Sequence, residues 1–396
     1  MVFFSLDAKS QSTYLGQDNN VITTAVPFLL ISPDARSGGM GEAGVATKPD
    51  ANSMHWNPAK YAFIDKDMGY SVSYSPWLRN LVNDINLACL TGYKRLDENQ
   101  TLAASLVYFS LGDITFTDVI GNPVGQYNPN EFSLDFTYSR KLGPNWAGAV
   151  SARWIHSNLT QGQFVGGAAT KAGNSIATDV AFYYTKEIHI KDVQESTLSF
   201  GANISNIGTK ISYSDDNTAK DFIPTNLRIG SALTIALDDY NELSFFADIN
   251  KLLVPTPPVF ELDTLGQPII GPDGNQIIAK GKSNDVSVVR GIFQSFYDAP
   301  DGFNEEMKEL FYSVGVEYWY DKVFALRGGF FYEDKSKGGR QFFTIGAGLK
   351  YNVFALDFSY LIPTEQHNPL EHTLRFSLSF DFDAFTAQNK DKKIIK

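Results

Sequence analysis

The chain has 396 residues, a formal net charge of −11 and a pI near 5.0, which excludes the basic footprint of a nucleic-acid binder. Its single cysteine, Cys89, excludes an internal disulfide framework. Aromatic residues make up 14% of it, with 30 Phe and 19 Tyr, while the longest clean apolar run near the N-terminus, Ala25–Ile31, falls far short of the ~20 residues a spanning helix needs.

Modest hydropathy with many aromatics is the profile of a membrane β-barrel, whose lipid-facing and lumen-facing residues cancel in any window. Residues 1–20 read as a flexible segment. Met1–Leu30 shows neither the basic start nor the apolar stretch of an export signal, so on the barrel reading that signal is expected to have been removed or replaced. Residues 21–67 are rich in Gly, Pro, Asn and Asp and show little periodicity. Irregular backbone at membrane depth is tolerated only inside protein, so this segment is expected to plug the barrel lumen.

From residue 68 onward period-2 alternation dominates, as in Phe132, Leu134, Phe136 and Tyr138 against Ser133, Asp135, Thr137 and Ser139. The pattern predicts strands at 68–75, 83–93, 100–116, 130–142, 146–159, 175–188, 196–208, 226–237, 242–254, 309–320, 323–333, 342–350, 353–363 and 372–383. Fourteen is an even number, and many of these strands reach the ~9–11 residues of a tilted membrane strand. Connections alternate long and short, so one rim carries tight turns and the other elaborated loops. With both termini periplasmic, the long loops face outside. The expected fold is an all-β, 14-stranded antiparallel transmembrane barrel over 68–383 with a plugged lumen, an extracellular insertion at 255–308 and a periplasmic tail at 384–396.

A soluble β-sandwich also alternates. Its outer faces should be rich in Lys, Glu and Thr, whereas the polar register here holds Gly201, Gly230, Gly315, Gly346, Gly348 and scattered Asp. Small residues suit a crowded lumen, and closure removes the edges that a large open sheet would expose.

Gly39-Met40-Gly41-Glu42-Ala43-Gly44 matches the dinucleotide fingerprint, but that motif needs a preceding strand and a following helix. Val45–Ser53 has no helical period, so the motif reads as a tight glycine turn in the plug. The five histidines, His55, His156, His189, His367 and His372, lack zinc-site spacing, and no G-x-S-x-G elbow is present. No catalytic residue, metal or cofactor is expected. In the insertion, turn chemistry around Asp263-Thr264-Leu265-Gly266 and Pro272-Asp273-Gly274 predicts a small hairpin. Val288, Val289, Ile292, Phe293 and Phe296 then follow helical spacing. A loop of this length folds as a lid over the mouth or presents a partner surface.

Ser32-Pro33-Asp34-Ala35-Arg36-Ser37-Gly38-Gly39-Met40-Gly41-Glu42-Ala43-Gly44-Val45-Ala46-Thr47, with Met54-His55-Trp56-Asn57-Pro58-Ala59, resembles the N-terminal segment of the PorV family. PorV proteins are outer-membrane barrels of the type IX secretion system within the FadL-like superfamily. Asp34, Arg36, Gly39, Gly41, Gly44, Asn57 and Pro58 are the plug-motif positions in this resemblance. The resemblance implies a non-enzymatic role. Secreted cargo would be received by its C-terminal signal domain from the large translocon barrel, then delivered to a surface attachment complex containing a sortase-like peptidase. Outer-membrane lipid would surround the barrel, and no nucleic acid is implied.

A folded cargo domain cannot pass a plugged lumen, so contact is expected on the extracellular loops. Aromatic and apolar loop residues are the candidate anchors: Phe164, Val165, Phe222, Ile223, Phe293, Phe296, Tyr297 and Phe303. A FadL-type uptake channel for hydrophobic small molecules is the alternative and would need an apolar pocket. An outer-membrane acyl hydrolase, a third reading, would need a Ser-His pair at one rim.

Overall fold

The computed structural model of the chain describes residues 20–79, 82, 84–117, 120–160, 162, 164–165, 168–189, 195–214, 220–272, 274–365 and 368–382. The expected flexible start (bar residue 20), the tail at 384–396 and His367 lie outside the described residues.

Twenty strands follow in chain order: β1 (Met68–Pro76), β2 (Asn86–Arg95), β3 (Gln100–Ser110), β4 (Ile114–Thr117), β5 (Pro123–Tyr127), β6 (Asn130–Lys141), β7 (Trp146–Asn158), β8 (Phe164–Val165), β9 (Ala168–Ala169), β10 (Gly173–Ile188), β11 (Glu195–Gly208), β12 (Asn226–Ala236), β13 (Asn241–Leu252), β14 (Val259–Phe260), β15 (Ile278–Lys280), β16 (Leu310–Tyr320), β17 (Phe324–Tyr332), β18 (Gln341–Tyr351), β19 (Phe354–Pro363) and β20 (Leu374–Asp381). Fourteen of them close into one antiparallel barrel, and the pairs β4-β5, β8-β9 and β14-β15 are small hairpins outside it. Closure joins β1 to β20 in a register running from Gly69↔Asp381 to Tyr74↔Phe376. No edge is left in this ring, which removes the sandwich reading.

Period 2 decides which side each residue takes. On β1, Ser71, Ser73 and Ser75 are buried while Tyr70, Val72 and Tyr74 stand exposed on the outer face. Phe136, Val150, Phe182, Ile229, Phe245 and Leu356 continue that outer band, each about half exposed. An apolar side chain of this size left in water forgoes roughly 1.5–3 kcal/mol of burial, so a continuous outer band of them requires lipid. Among the described residues no helix is long and apolar enough to cross a membrane, and the crossing is made by strands. The barrel is an outer-membrane one.

Tight turns close one rim. Between β16 and β17 the chain reverses through Asp321 and Lys322, at φ 53° and 54°, with Val323 N donating to Tyr320 O at 3.0 Å. Two successive positive φ values make the turn whose twist matches paired strands.

One expected strand needs correcting. The predicted strand 100–116 ends at Ser110. Gly112 takes φ +79° and redirects the chain into the β4-β5 hairpin, so alternation continues through Phe116 but pairing with the barrel does not. The insertion at 255–308 contains the expected hairpin (β14-β15) and a helix at Val288–Gln294, and adds a second helix at Phe303–Lys308.

Candidate functional site

Two irregular segments carry the chemistry of the molecule, one bonded to inward-facing side chains of the barrel and one at the long-loop rim.

The first is the run from Asn20 to Asp67. It contains short helices at Ala35–Gly38 and Ser53–Trp56 and a 3-10 turn at Pro58–Phe63, which Pro58 opens at a position where a missing N–H goes unused. Asp34 caps the first helix by accepting from Ser37 N at 2.9 Å and holds the Trp56 indole N–H at 2.6 Å. Arg36 donates to Asp50 at 2.7 Å and to Glu317 on β16 at 2.8 Å. Glu317 also accepts from Arg327 at 2.7 Å, and Arg327 reaches Asp357 at 2.6 Å. Asp248 on β13 accepts from the backbone N–H groups of Gly44 and Val45 at 2.7 and 3.0 Å. Asn57 donates to Val45 O at 3.0 Å and to Phe182 O on β10 at 2.9 Å. Further bonds reach Thr101 on β3, Ser139 on β6, Asn203 on β11, Thr344 on β18 and Ser377 on β20. Strands spread around the whole ring thus share one segment.

Glycine is required where this contact is closest. Gly41 sits at φ +66°, and a Cβ there would lie 2.5 Å from Phe330 N and 2.7 Å from Val314 O. At Gly44 a Cβ would fall 2.3 Å from the Trp56 ring. Gly39 lies against the Gly346 backbone, 3.1 Å from an added Cβ to Gly346 Cα. The glycine run is therefore a turn fitted against the barrel wall, with no βαβ unit around it. An enclosed cavity between Phe28, Met54, Cys89, Arg153 and Arg228 measures only about 20 Å³, room for about one water.

The second segment is 255–308, at the rim opposite the tight turns. Beneath it lies a buried ionic cluster. Lys251, at the end of β13, donates to Glu306 at 3.0 Å and Glu309 at 2.6 Å. Lys337, from the β17–β18 connection, donates to Glu305 at 2.6 Å and Glu309 at 3.0 Å. Thr256 donates its hydroxyl to Glu309 at 2.6 Å, and the N–H groups of Asp298 and Ala299 donate to Glu306 at 2.7 and 2.9 Å. Burial is the largest single influence and would raise the Glu305 carboxyl, but the bond and charge of Lys337 together with bonds from the Asp301 N–H and Asn20 outweigh it and hold the group below its ordinary range. Asp298 has no lysine bonded to it, and burial pushes its pKa up to about 6. Breaking a buried pair by removing one partner costs about 3–5 kcal/mol, so this cluster fixes the insertion to the barrel end.

What the insertion shows to solvent is aromatic. Phe293 is 66% exposed, Phe296 49%, Tyr297 59% and Phe303 76%, with Val289 at 65% one helical turn before Phe293. Lys282 stands over the Tyr297 ring at 3.6 Å. These residues sit on two short helices and the turn between them, so four of the expected anchors share one stretch of chain. Phe222 is half-buried, with Lys210 over its ring at 4.2 Å and Gly291 of the insertion packed against it. Ile223 is a correction. At 1% exposure it belongs to the core cluster with Phe28, Leu87, Ile155 and Ile211, so it is no surface anchor. Phe164 and Val165 form β8 of a separate hairpin at the same rim. Sequence reasoning missed Lys251, Lys337 and the Glu305-Glu306-Glu309 group, because a charge run on a short amphipathic stretch reads as a solvated face. No set of side chains suited to a metal ion occurs among the described residues.

A family model described as type IX secretion system protein PorV matches residues 14–259. Among solved structures, the ΔS2S3 mutant of the monoaromatic hydrocarbon channel TodX is similar at 14% identity and a TM-score of 0.51, covering 88% of this chain and 99% of that one. The toluene transporter TbuX of Ralstonia pickettii (11% identity, TM-score 0.43, 88% of this chain and 98% of that one) is also similar. So is a FadL homologue from Pseudomonas aeruginosa (12% identity, TM-score 0.42, 92% and 100%). A comparison with curated proteins finds no match.

Proposed function

Since the chain belongs to the PorV family of type IX secretion system proteins and forms a FadL-like outer-membrane barrel, we propose that it is a non-enzymatic carrier for secreted proteins. It receives cargo by the cargo's C-terminal signal domain as that cargo leaves the translocon barrel, and passes it to a surface attachment complex containing a sortase-like peptidase. Residues 21–67 serve as the plug, so cargo meets the outer rim and does not enter the lumen.

The observation that carries this reading is the insertion 255–308. An ordered segment held by buried ion pairs presents Phe293, Phe296, Tyr297 and Phe303 outward. Exposed aromatics on a fixed support are what a protein interface uses as anchors. Val289 joins them, and Phe164, Val165 and Phe222 extend the docking surface along the same rim. An uptake channel for apolar small molecules would need a mostly apolar cavity of several hundred Å³, whereas the enclosed cavity beside the Asn20–Asp67 run is water-sized and lined by Asp135, Arg153 and Arg228, and the cavity of about 410 Å³ at the tight-turn rim is lined by six basic side chains and four carboxylates.

The test is affinity purification from detergent-solubilised membranes, comparing the whole chain with a variant lacking 286–303. The carrier reading expects a large barrel and secreted proteins with C-terminal signal domains to co-purify, with the cargo alone lost on deletion. Recovery of the barrel alone with bound fatty acid would replace it with the uptake channel.

A further inference from the structure

The outer face of the barrel is not uniform. A groove of about 800 Å³ runs across β1–β3, β6, β7 and β10. Pairing register sets one row of outward-facing residues along it: Tyr70, Gly92, Ala104, Phe136, Ala152 and Thr178. The Tyr70 ring fills the space over Gly92, 2.8 Å from where a Cβ would stand, so the open floor lies at Ala104 and Ala152. Leu106 and Leu134 wall it toward the long-loop rim, and Leu102 and Tyr138 toward the tight-turn rim. Phe136, more than half exposed, stands between the two alanines. At about 4.8 Å per strand these alanines, two strands apart, are roughly 10 Å from one another. The groove opens to the bilayer and the sheet itself closes it from the lumen, so it offers no channel.

Charge marks the lower border of the same strands. Lys94 on β2, Arg140 on β6 and Lys186 on β10 face outward near the tight-turn rim, the periplasmic side of an outer-membrane barrel, and all three are exposed. No Asp or Glu holds an outward position on β1–β3, β6, β7 or β10. On β12, β13 and β16–β19 the outward residues at that level are Ile235, Asn241, Tyr320, Phe324, Tyr351 and Phe354, none of them charged. Lys94 is paired across to Leu102 and Leu102 to Tyr138, with Arg140 the next outward residue after Tyr138. Sheet spacing puts Lys94 and Arg140 about 12 Å apart at Cα, and neither pairs with a carboxylate among the described residues.

We propose that the groove holds one anionic phospholipid of the periplasmic leaflet, its phosphate between Lys94 and Arg140 and its two acyl chains over Ala104 and Ala152, one on each side of the Phe136 ring. Each of the two basic side chains is long enough to cover about half the distance between them, so a phosphate there accepts from both. Tyr138 sits at the level where aromatic residues meet headgroups. A smooth apolar wall is wetted by any lipid in turn. A ridge between two hollows, with cations beneath it, selects a molecule with two chains and one anionic head.

The test is native mass spectrometry of the full chain in detergent, titrated with dioleoylphosphatidylglycerol and, separately, with dioleoylglycerol, which has the same chains and no phosphate. Saturation at one phosphatidylglycerol per chain is expected, bound about tenfold or more tightly than the diacylglycerol. Ala104→Leu with Ala152→Leu fills both hollows and should weaken binding about tenfold. Ala247→Leu with Ala347→Leu, at outward positions of β13 and β18, should leave it unchanged. Lys94→Gln with Arg140→Gln should remove the preference over diacylglycerol, and Lys94→Arg with Arg140→Lys should keep it. All these positions face outward, so the variants leave the barrel folded, which an unchanged urea midpoint checks. Uptake of several lipids with no saturation at one, or equal affinity in the leucine pair at 104 and 152, overturns the proposal. Loss of the translocon barrel from that pair, with lipid still held, also overturns it and makes the groove a protein interface.

Discussion

The Asn20–Asp67 run and the 255–308 insertion use the same device to opposite ends. Each is irregular chain fixed to the barrel by buried ion pairs, through Glu317 in one and Glu309 in the other. In the first, Met40, Met54, Trp56 and Tyr61 are buried, so ionic and apolar contacts both hold the run to the barrel. In the second, the ionic cluster lies beneath the insertion and the large aromatics Phe293, Phe296, Tyr297 and Phe303 are left outside. The first segment buries its apolar groups against the barrel, whereas the second leaves large aromatics exposed at the rim.

The largest expected effect tests the first region. Glu317→Gln leaves Arg36 and Arg327 buried with too few partners, and should lower barrel stability by about 3–5 kcal/mol, read as a shift in the urea midpoint. No shift would show that the ion network contributes nothing to holding this run. Glu309→Gln tests the second region in the same way. It should lower the free energy of local opening of the insertion by about 3–5 kcal/mol in hydrogen exchange at Asp298 and Ala299, while the urea midpoint of the barrel stays in place. Equal global loss in both variants would erase the distinction between a segment built into the barrel and one anchored at its rim.

Phe303→Ala should change stability by no more than about 0.5 kcal/mol, because the ring is exposed. Cargo affinity should nevertheless fall by about 1–2 kcal/mol, close to tenfold. The smallest effect is a pH dependence. Asp298 has a folded-state pKa of about 6, above its ordinary 3.8, so the folded insertion binds this proton more readily than the unfolded one. Its stability should therefore rise as pH falls from 7 to 5. Glu305, held below its ordinary range, offers no opposing change in that window. Asp298→Asn should abolish the dependence, and a stability that falls on acidification would contradict it.

Most of the barrel was legible because period-2 alternation in a closed sheet is a local property. Predicted 130–142 and observed Asn130–Lys141 differ by one residue, and the largest discrepancies come where pairing overrides pattern, as after Ser110. The glycine turn at Gly39–Gly44 was legible as a turn, but its cause, the approach to Phe330 and Val314 some 280 residues away, was not. The same holds for Arg36 and Glu317, separated by 281 positions. Ile223 failed for a related reason. Lys220, Asp221 and Pro224 mark a loop, while the apolar surface that buries Ile223 comes from Phe28 in a distant segment. Sequence shows which face a residue takes along its own strand. It does not show which remote segment covers that face.

On the proposed function, cargo docks on the exposed aromatics of 255–308. The most direct measurement is the affinity of the purified chain for a secreted protein bearing a C-terminal signal domain, set against that of a variant with Phe293, Phe296, Tyr297 and Phe303 all replaced by Ala. Binding at least about a hundredfold weaker is expected, with the urea midpoint and the recovery of the translocon barrel unchanged. Equal affinity for cargo in the two proteins would contradict it.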